Sequence, residues 1–305
     1  MYGRYDPRIL ALREADRRLR RGAQTLDRCP AARLQRRELT HMNATAIDKA
    51  ATAIAENRLN RTKLDTLPTD HRPDDLHDAY SVQERHNVIL GERGLGRPVG
   101  YKIGCTTPVM QEYMNIREPA FGEVFDTTVH RNHADLIFAN LVNPGVETEI
   151  AVSLASDMPA TGSPYTRDSV RDAVGAVMIS IELVEARYRD YRELDTPTMA
   201  ADNFFNAAVI LGDPVTNWQD IDLAVAEGTI LLNGELLGTG LGSLIMGHPF
   251  EALAWLANRL SERGRHLKAG EFVTLGSVIA TQWVSQGDRI DHSIQGLGSV
   301  SISFT

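Results

Sequence analysis

The sequence predicts an α+β fold in which strands predominate. Helical periodicity is confined to residues 43–93 and to one stretch near 249–263. Elsewhere, short apolar or alternating runs are separated by turns. Strands and helices do not alternate regularly, which argues against a doubly wound sheet or a TIM barrel.

Each element has a local reason. Asn43 to Asn57 carries alanine and isoleucine at helical spacing, with Asn43 or Thr45 available as a cap. After the polar, proline-containing TLPTDHRPDD, Asp75 opens a second helix to about Arg93, with Ala79, Val82 and Val88–Leu90 on its apolar side. Glycines at 91, 94, 96 and 100 then punctuate the chain. Strands are expected in VGYKIG, AFGEVF, ADLIFANL and VETEIAVSLA. The clearest strand run is Val174 to Ala186. Later strands are expected in NAAVILG, AEGTILLN, GELLGTGLG, EFVTLGS and GSVSISF, with Asn233-Gly234 as a hairpin turn. Pro249 to about Arg263 is a helix, with proline in its first turn and Gly264 at its end. We divide the chain into an Arg-rich extension (1–41), a helical N-terminal part (42–96) and a β-rich domain (97–305).

Composition narrows the functional classes. With 43% apolar and 24% charged residues in 305, the chain is not a disordered one. No apolar run approaches the length of a membrane span. Two cysteines, Cys29 and Cys105, exclude a disulfide scaffold and suggest a reducing compartment, the cytoplasm. Residues 1–41 hold eleven arginines and five acids, a balance of +6, against −14 for the rest. The acidic body argues against a nucleic-acid surface. We read residues 1–41 as a disordered or loosely helical extension without a catalytic part, with a functional start near Met42. There is no GxGxxG after a strand, no phosphate loop and no GxSxG elbow.

Three acids stand out. Glu147 and Glu149 lie two apart in VETEIAVSL, so a strand turns both carboxylates to one face. Like charges so placed repel unless a cation lies between them. Glu182 sits in VMISIELVEA, too apolar a run to hold an unpaired carboxylate cheaply. Three carboxylates without sulfur suit a hard divalent cation, Mg²⁺ or Mn²⁺. The alternative is a solvated edge for the E-x-E pair, with Glu182 paired to Arg187 or Lys102. Lys102, in GYKIGCT, is a substrate-carboxylate ligand, a proton-transfer group or a snorkelling surface lysine. Asp202-Asn203 marks a turn. His248 reads as a helix-start residue, and Cys105 as structural.

Taken in order, GYKIGCT, EPAFGEVF, VETEIAV, IELVEARY, ADNFFNAAVILG, GHPFEALAWLANRL, LKAGEFVTLGS and GSVSISF resemble the fumarylacetoacetate hydrolase superfamily. Within it the chain is similar to the 2-keto-4-pentenoate hydratase / 4-oxalocrotonate decarboxylase branch, over about residues 45–305. The resemblance implies a β-roll or distorted barrel with a small N-terminal α/β part. It implies that Glu147, Glu149 and Glu182 hold one Mg²⁺ or Mn²⁺, that Lys102 lies beside the substrate, and that Asp202 and Asn203 approach the same pocket. It further implies a metal-dependent hydratase acting on 2-hydroxypenta-2,4-dienoate or a substituted relative, in aromatic meta-cleavage catabolism. The alternatives are a 4-oxalocrotonate-type decarboxylase or a non-catalytic partner subunit. A small 2-oxo acid or dienol is the expected ligand. A homo-oligomer is expected, with room for a complex with a related decarboxylase or hydratase. Hydratase-like members often carry an acid before the aromatic-glycine pair. Here that place is Ala120, in Pro119-Ala120-Phe121-Gly122, with Glu118, Glu123 and Asp126 nearby.

Overall fold

The computed structural model describes residues 41–113 and 116–305, and residues 42–305 form one compact unit. The reading of residues 1–41 as an extension lies, but for His41, outside the described residues. Helix α1 spans Ala44–Asn60, capped by the Asn43 side chain, which accepts from the Ala46 amide. Helix α2 spans Leu76–Leu90, capped by Asp75 in the same manner. The two pack through Ala50, Ala51, Ile54, Val82, Ile89 and Leu90, which share a core with Leu67, Phe125 and Ala201.

Strand β1 (Pro98–Gly104) is followed by a short helix α3 (Pro108–Tyr113) and by β2 (Ala120–Phe125). Next come β3 (Val129–Arg131), β4 (His133–Leu136), β5 (Pro144–Leu154) and β6 (Val174–Glu185). Helix α4 (Thr196–Ala201) leads through a tight turn into β7 (Asn206–Leu211). Strands β8 (Glu227–Leu232) and β9 (Glu235–Leu241) form the expected hairpin. Its turn has positive φ at both Asn233 and Gly234, as the matched twist of a two-residue hairpin requires. Helix α5 (Pro249–Glu262) buries Ala252, Leu253, Leu256 and Leu260. His248 caps it, Nδ1 accepting from the Phe250 amide, which agrees with its reading as a helix-start residue. Strands β10 (Phe272–Trp283), β11 (Arg289–Ile294) and β12 (Gly298–Phe304) complete the chain.

Among the described residues, twelve strands join in one mixed sheet, in the order β2-β1-β10-β5-β6-β7-β3-β4-β12-β11-β8-β9. So many strands do not stay flat. The far end curls back on the middle: a Cβ on Gly240 of β9 would lie 1.9 Å from the Val278 carbonyl oxygen of β10. This roll agrees with the α+β, strand-rich expectation. Strand β10 runs parallel to β1 and antiparallel to β5, and it separates them. That insertion brings residues near 100, 150, 180 and 275 to one face.

Candidate metal centre

The antiparallel register of β5 and β6 sets Glu147 opposite Glu182 and Glu149 opposite Ser180. The period of two turns all four side chains to one face. One oxygen from each of the three glutamates lies within 4.8 Å of the others. Glu149 and Glu182 are wholly buried, while Glu147 is partly exposed and marks the open end.

Neighbouring strands fix each carboxylate. Asn206, at the start of β7, donates Nδ2 to Glu182 Oε1 at 2.9 Å. The Gly276 amide donates to Glu149 Oε2 at 3.1 Å. Gly276 has φ +116, and a Cβ there would lie 2.3 Å from Thr106 Oγ1, so only glycine fits. Thr281 donates Oγ1 to Glu147 Oε1 at 2.5 Å. Lys102, on β1, brings Nζ within 3.2 Å of Glu182 Oε1 and donates to the Phe204 carbonyl at 3.0 Å. The same ammonium lies 5.4 Å from the centre of the Phe204 ring. Lys102 is thus a buried member of the cluster and not a snorkelling surface residue.

The electrostatics are those of an excess of negative charge in a dry place. Burial, reinforced by Glu182 and Glu147, drives the Glu149 carboxyl well above its ordinary pKa. Burial pushes Glu182 up to about 7, with Lys102 acting against it. Burial disfavours the charge on Lys102, but the three glutamates outweigh it and raise its pKa. One ammonium faces three carboxylates. Glu182 Oε2 and Glu149 Oε1 are buried without a hydrogen-bond donor of normal geometry. Oxygen-only donors, orphaned lone pairs and uncompensated charge fit a hard divalent cation. The two readings of Glu182 are therefore compatible: Oε1 pairs with Lys102, and Oε2 remains for an ion.

Asp202 and Asn203 are placed differently. Asp202 Oδ1 accepts from Arg187 Nη2 at 2.8 Å, and both groups are buried. Asn203 Oδ1 accepts from the Glu123 amide at 3.0 Å, and its Nδ2 donates to Asn87 Oδ1 at 2.5 Å. Neither side chain joins the glutamates. The turn that they begin does so through its backbone, at the Phe204 carbonyl. Asn203, Phe204 and Phe205 all have positive φ, between 48° and 66°, a conformation costly for side-chain-bearing residues. The sequence marks this turn, and the resemblance implies that Asp202 and Asn203 approach the pocket; the Phe204 carbonyl next to them is the group that meets Lys102. Sequence reasoning missed Asn206, Gly276 and Thr281.

The acids near Ala120 are engaged elsewhere. Glu123 pairs across with Tyr101, on the face opposite Lys102, and binds Arg265 and Asn87. Glu118 pairs with Arg259, and Asp126 with Arg97.

Residues 114–304 match the domain family described as fumarylacetoacetate (FAA) hydrolase C-terminal. The chain is 36% identical to a 2-hydroxyhexa-2,4-dienoate hydratase of Comamonas testosteroni, over 78% of this chain and 89% of that one. It is 32% identical to a 4-oxalocrotonate decarboxylase of Pseudomonas putida, over 86% of this chain and all of the relative. The solved 4-oxalocrotonate decarboxylase of Pseudomonas putida G7, complexed with magnesium and adipate, superposes with a TM-score of 0.81 at 29% identity. The match covers 87% of this chain and 99% of that one.

Proposed function

The chain belongs to the fumarylacetoacetate hydrolase family, and on that premise we propose that it is a metal-dependent hydratase of 2-hydroxypenta-2,4-dienoate or a substituted relative in aromatic meta-cleavage catabolism. The observation that carries this is the three-glutamate cluster with Lys102 inside it. Glu147, Glu149 and Glu182 would hold one Mg²⁺ or Mn²⁺, which supplies Lewis-acid stabilisation of negative charge on the 2-oxygen of a 2-oxo acid or its enol.

The remaining work falls to the chain's own groups. An ammonium has three donors. Lys102 commits two, to Glu182 and to the Phe204 carbonyl, which leaves one for the carboxylate or 2-oxygen of the substrate. Held by Glu182 and the Phe204 carbonyl, Nζ is placed to bind and orient an anionic substrate and to lend a proton as the dienol becomes a ketone. The apolar β6 around Glu182 keeps bulk water from the inner end of the site. Water for addition enters from the Glu147 side, where the cluster is open. Asp202 and Asn203 serve as positioning residues: their side-chain bonds hold the turn that presents the Phe204 carbonyl.

A second reading is a 4-oxalocrotonate-type decarboxylase. The 32% identity to such an enzyme and the TM-score of 0.81 to another favour it as the alternative. A complete glutamate set with its lysine speaks against a non-catalytic partner subunit. We also propose a cytoplasmic homo-oligomer. Among the described residues no helix is long and apolar enough to cross a membrane. Leu236, Leu237 and Leu241 are exposed on the edge strand β9, so a native mass above one chain is expected.

The test uses purified protein, stripped of metal and reloaded with Mg²⁺ or Mn²⁺. Fresh 2-hydroxypenta-2,4-dienoate is added, and loss of the dienol absorbance is followed with product mass. Metal-dependent gain of one water is expected. CO₂ release from 4-oxalocrotonate, without hydration of the dienol, would replace this reading with the second.

A further inference from the structure

Gly104 ends β1 two residues beyond Lys102, so both face the same side of the sheet. Strand β1 runs parallel to β10, with Lys102 beside Thr274. From Thr274, β10 passes Gly276, which holds Glu149, and reaches Thr281, which holds Glu147. Gly104 therefore lies on the side of Lys102 toward Glu147, where the cluster is open. It is half-buried, whereas Lys102 and Phe204 are buried.

A glycine in a strand marks a bulge, a close approach of other backbone, or a place where a ligand comes near. Gly100 and Gly122 are of the second kind. A Cβ on Gly100 would lie 2.5 Å from the Phe272 carbonyl oxygen, and one on Gly122 would lie 2.7 Å from that of Asn203. Gly104 is different. A Cβ there would meet nothing nearer than 3.6 Å, and at that distance it would touch two groups, Lys102 Nζ and Phe204 Cδ1. Both are side chains, and both contacts are of ordinary length. Gly104 does not have a positive φ. It pairs with Ala120 in unbroken register, the one shift between β1 and β2 lying back at Pro98 and Gly100. Neither a bulge nor a backbone contact asks for glycine at 104, which leaves the ligand.

We infer that the place over Gly104 receives the carbon chain of the bound 2-oxo acid, between Lys102 Nζ and the Phe204 ring, and that position 104 is glycine for the ligand's sake. The inference rests on the 2-oxo acid reading of the same site. The ammonium takes the carboxylate or 2-oxygen, and the ring edge covers the carbons that follow. Phe204 then has two parts: its carbonyl holds Lys102 and its ring meets the ligand. The second part explains a phenylalanine at φ 48 and ψ 43, where side chains are costly and strain collects at functional sites.

The test titrates Mg²⁺-loaded protein with 2-oxopentanoate, the saturated counterpart of the dienol, by calorimetry. Gly104→Ala meets no clash in the protein, so it should melt at or above the wild-type temperature. It should bind Mg²⁺ within about twofold of wild type and 2-oxopentanoate at least about tenfold more weakly, the scale on which one surplus methyl is felt in a fitted pocket. Phe204→Leu keeps the apolar bulk and removes the ring. It should weaken 2-oxopentanoate several-fold and leave Mg²⁺ binding unchanged. Wild-type affinity for 2-oxopentanoate in either variant would overturn the inference. So would a lower melting temperature, insoluble protein or a parallel loss of Mg²⁺ affinity in Gly104→Ala, each of which would make this glycine part of the scaffold. Wild-type protein that binds Mg²⁺ and not 2-oxopentanoate would sink the 2-oxo acid reading, and the inference with it. The expected losses without dienol hydration would uphold the inference and sink the hydratase reading alone.

Discussion

At Glu149 the conflict between burial and charge is sharpest, since the carboxyl is wholly buried beside two other acids. Glu149→Gln keeps its shape and removes that charge. Metal-free Glu149→Gln is therefore expected to melt at or above the wild-type temperature. Wild type should gain roughly 2–3 kcal/mol from Mg²⁺ at about a hundred times its Kd, and the variant nothing. Thermal melts with and without Mg²⁺ read both outcomes, and a wild-type-sized gain in the variant would remove Glu149 from the site. Cys105 offers a second check. Burial pushes its thiol up to about 12, with Lys102 acting in the opposite direction. At pH 8 only roughly one thiol in ten thousand would be ionised. Iodoacetamide should label Cys105 slowly in the folded protein and quickly in urea, as peptide mass will show. The glutamates were legible in the sequence because each carries its own signal: the period of two for Glu147 and Glu149, and the apolar setting for Glu182. Asn206, Gly276 and Thr281 carry none. An asparagine, a glycine and a threonine are ordinary in strands, and their donors matter only once β7 and β10 are placed beside β6 and β5.

The turn between α4 and β7 is where one element depends on another. Three successive left-handed residues aim the Phe204 carbonyl at Lys102. They are held by Asn87 from α2, by the Glu123 amide from β2 and by close approach of Gly122. A Cβ on Gly122 would lie 2.7 Å from the Asn203 carbonyl oxygen and 3.0 Å from its Cα, backbone that cannot swing aside. Gly122→Ala should thus cost about 1–3 kcal/mol. It should also lower kcat several-fold while leaving Mg²⁺ affinity near wild type, because the glutamates are on other strands. Unchanged kcat would show that the turn does not position Lys102. The three long helices and their caps were readable from periodicity and from Asn43, Asp75 and Pro249. The six-residue α3 and α4 are too short to show a period. Strand β11 was missed because His292 stands between Ile290 and Ile294 on its buried side, which breaks the apolar alternation.

Across the molecule, buried charge couples the helical part to the sheet. His86 of α2 is fully buried, and burial, with Arg58 and Arg187, holds its pKa well below the ordinary value. The unfolded chain binds a proton there near pH 6.5 while the folded one does not. Stability therefore falls as pH drops below about 6.5. In Mg²⁺-loaded protein the denaturation free energy should decline over that range, and His86→Gln should flatten the slope. An identical slope in the variant would exclude His86 as its source. Every residue assigned to the site lies within 42–305, so a chain starting at Met42 is expected to fold and turn over substrate at the wild-type rate. Loss of soluble protein would give residues 1–41 a structural part. The strand-rich class was legible from texture, and the order of the strands was not. Nothing local in LKAGEFVTLGS says that β10 enters between β1 and β5.

That insertion has a consequence for the chain as it is made. Lys102 and the glutamates are translated early, yet the strand that joins their two halves of the sheet ends at Trp283. While the ribosome is still working toward that point, β1 has no partner beside it except β2, and β5 and β6 present an incomplete acidic face. Lys102 can therefore join the glutamates only near the end of synthesis. Any pause before β10 emerges would leave the edges of β1 and β5 unpaired, which makes those two strands the segments on which a chaperone's protection matters most.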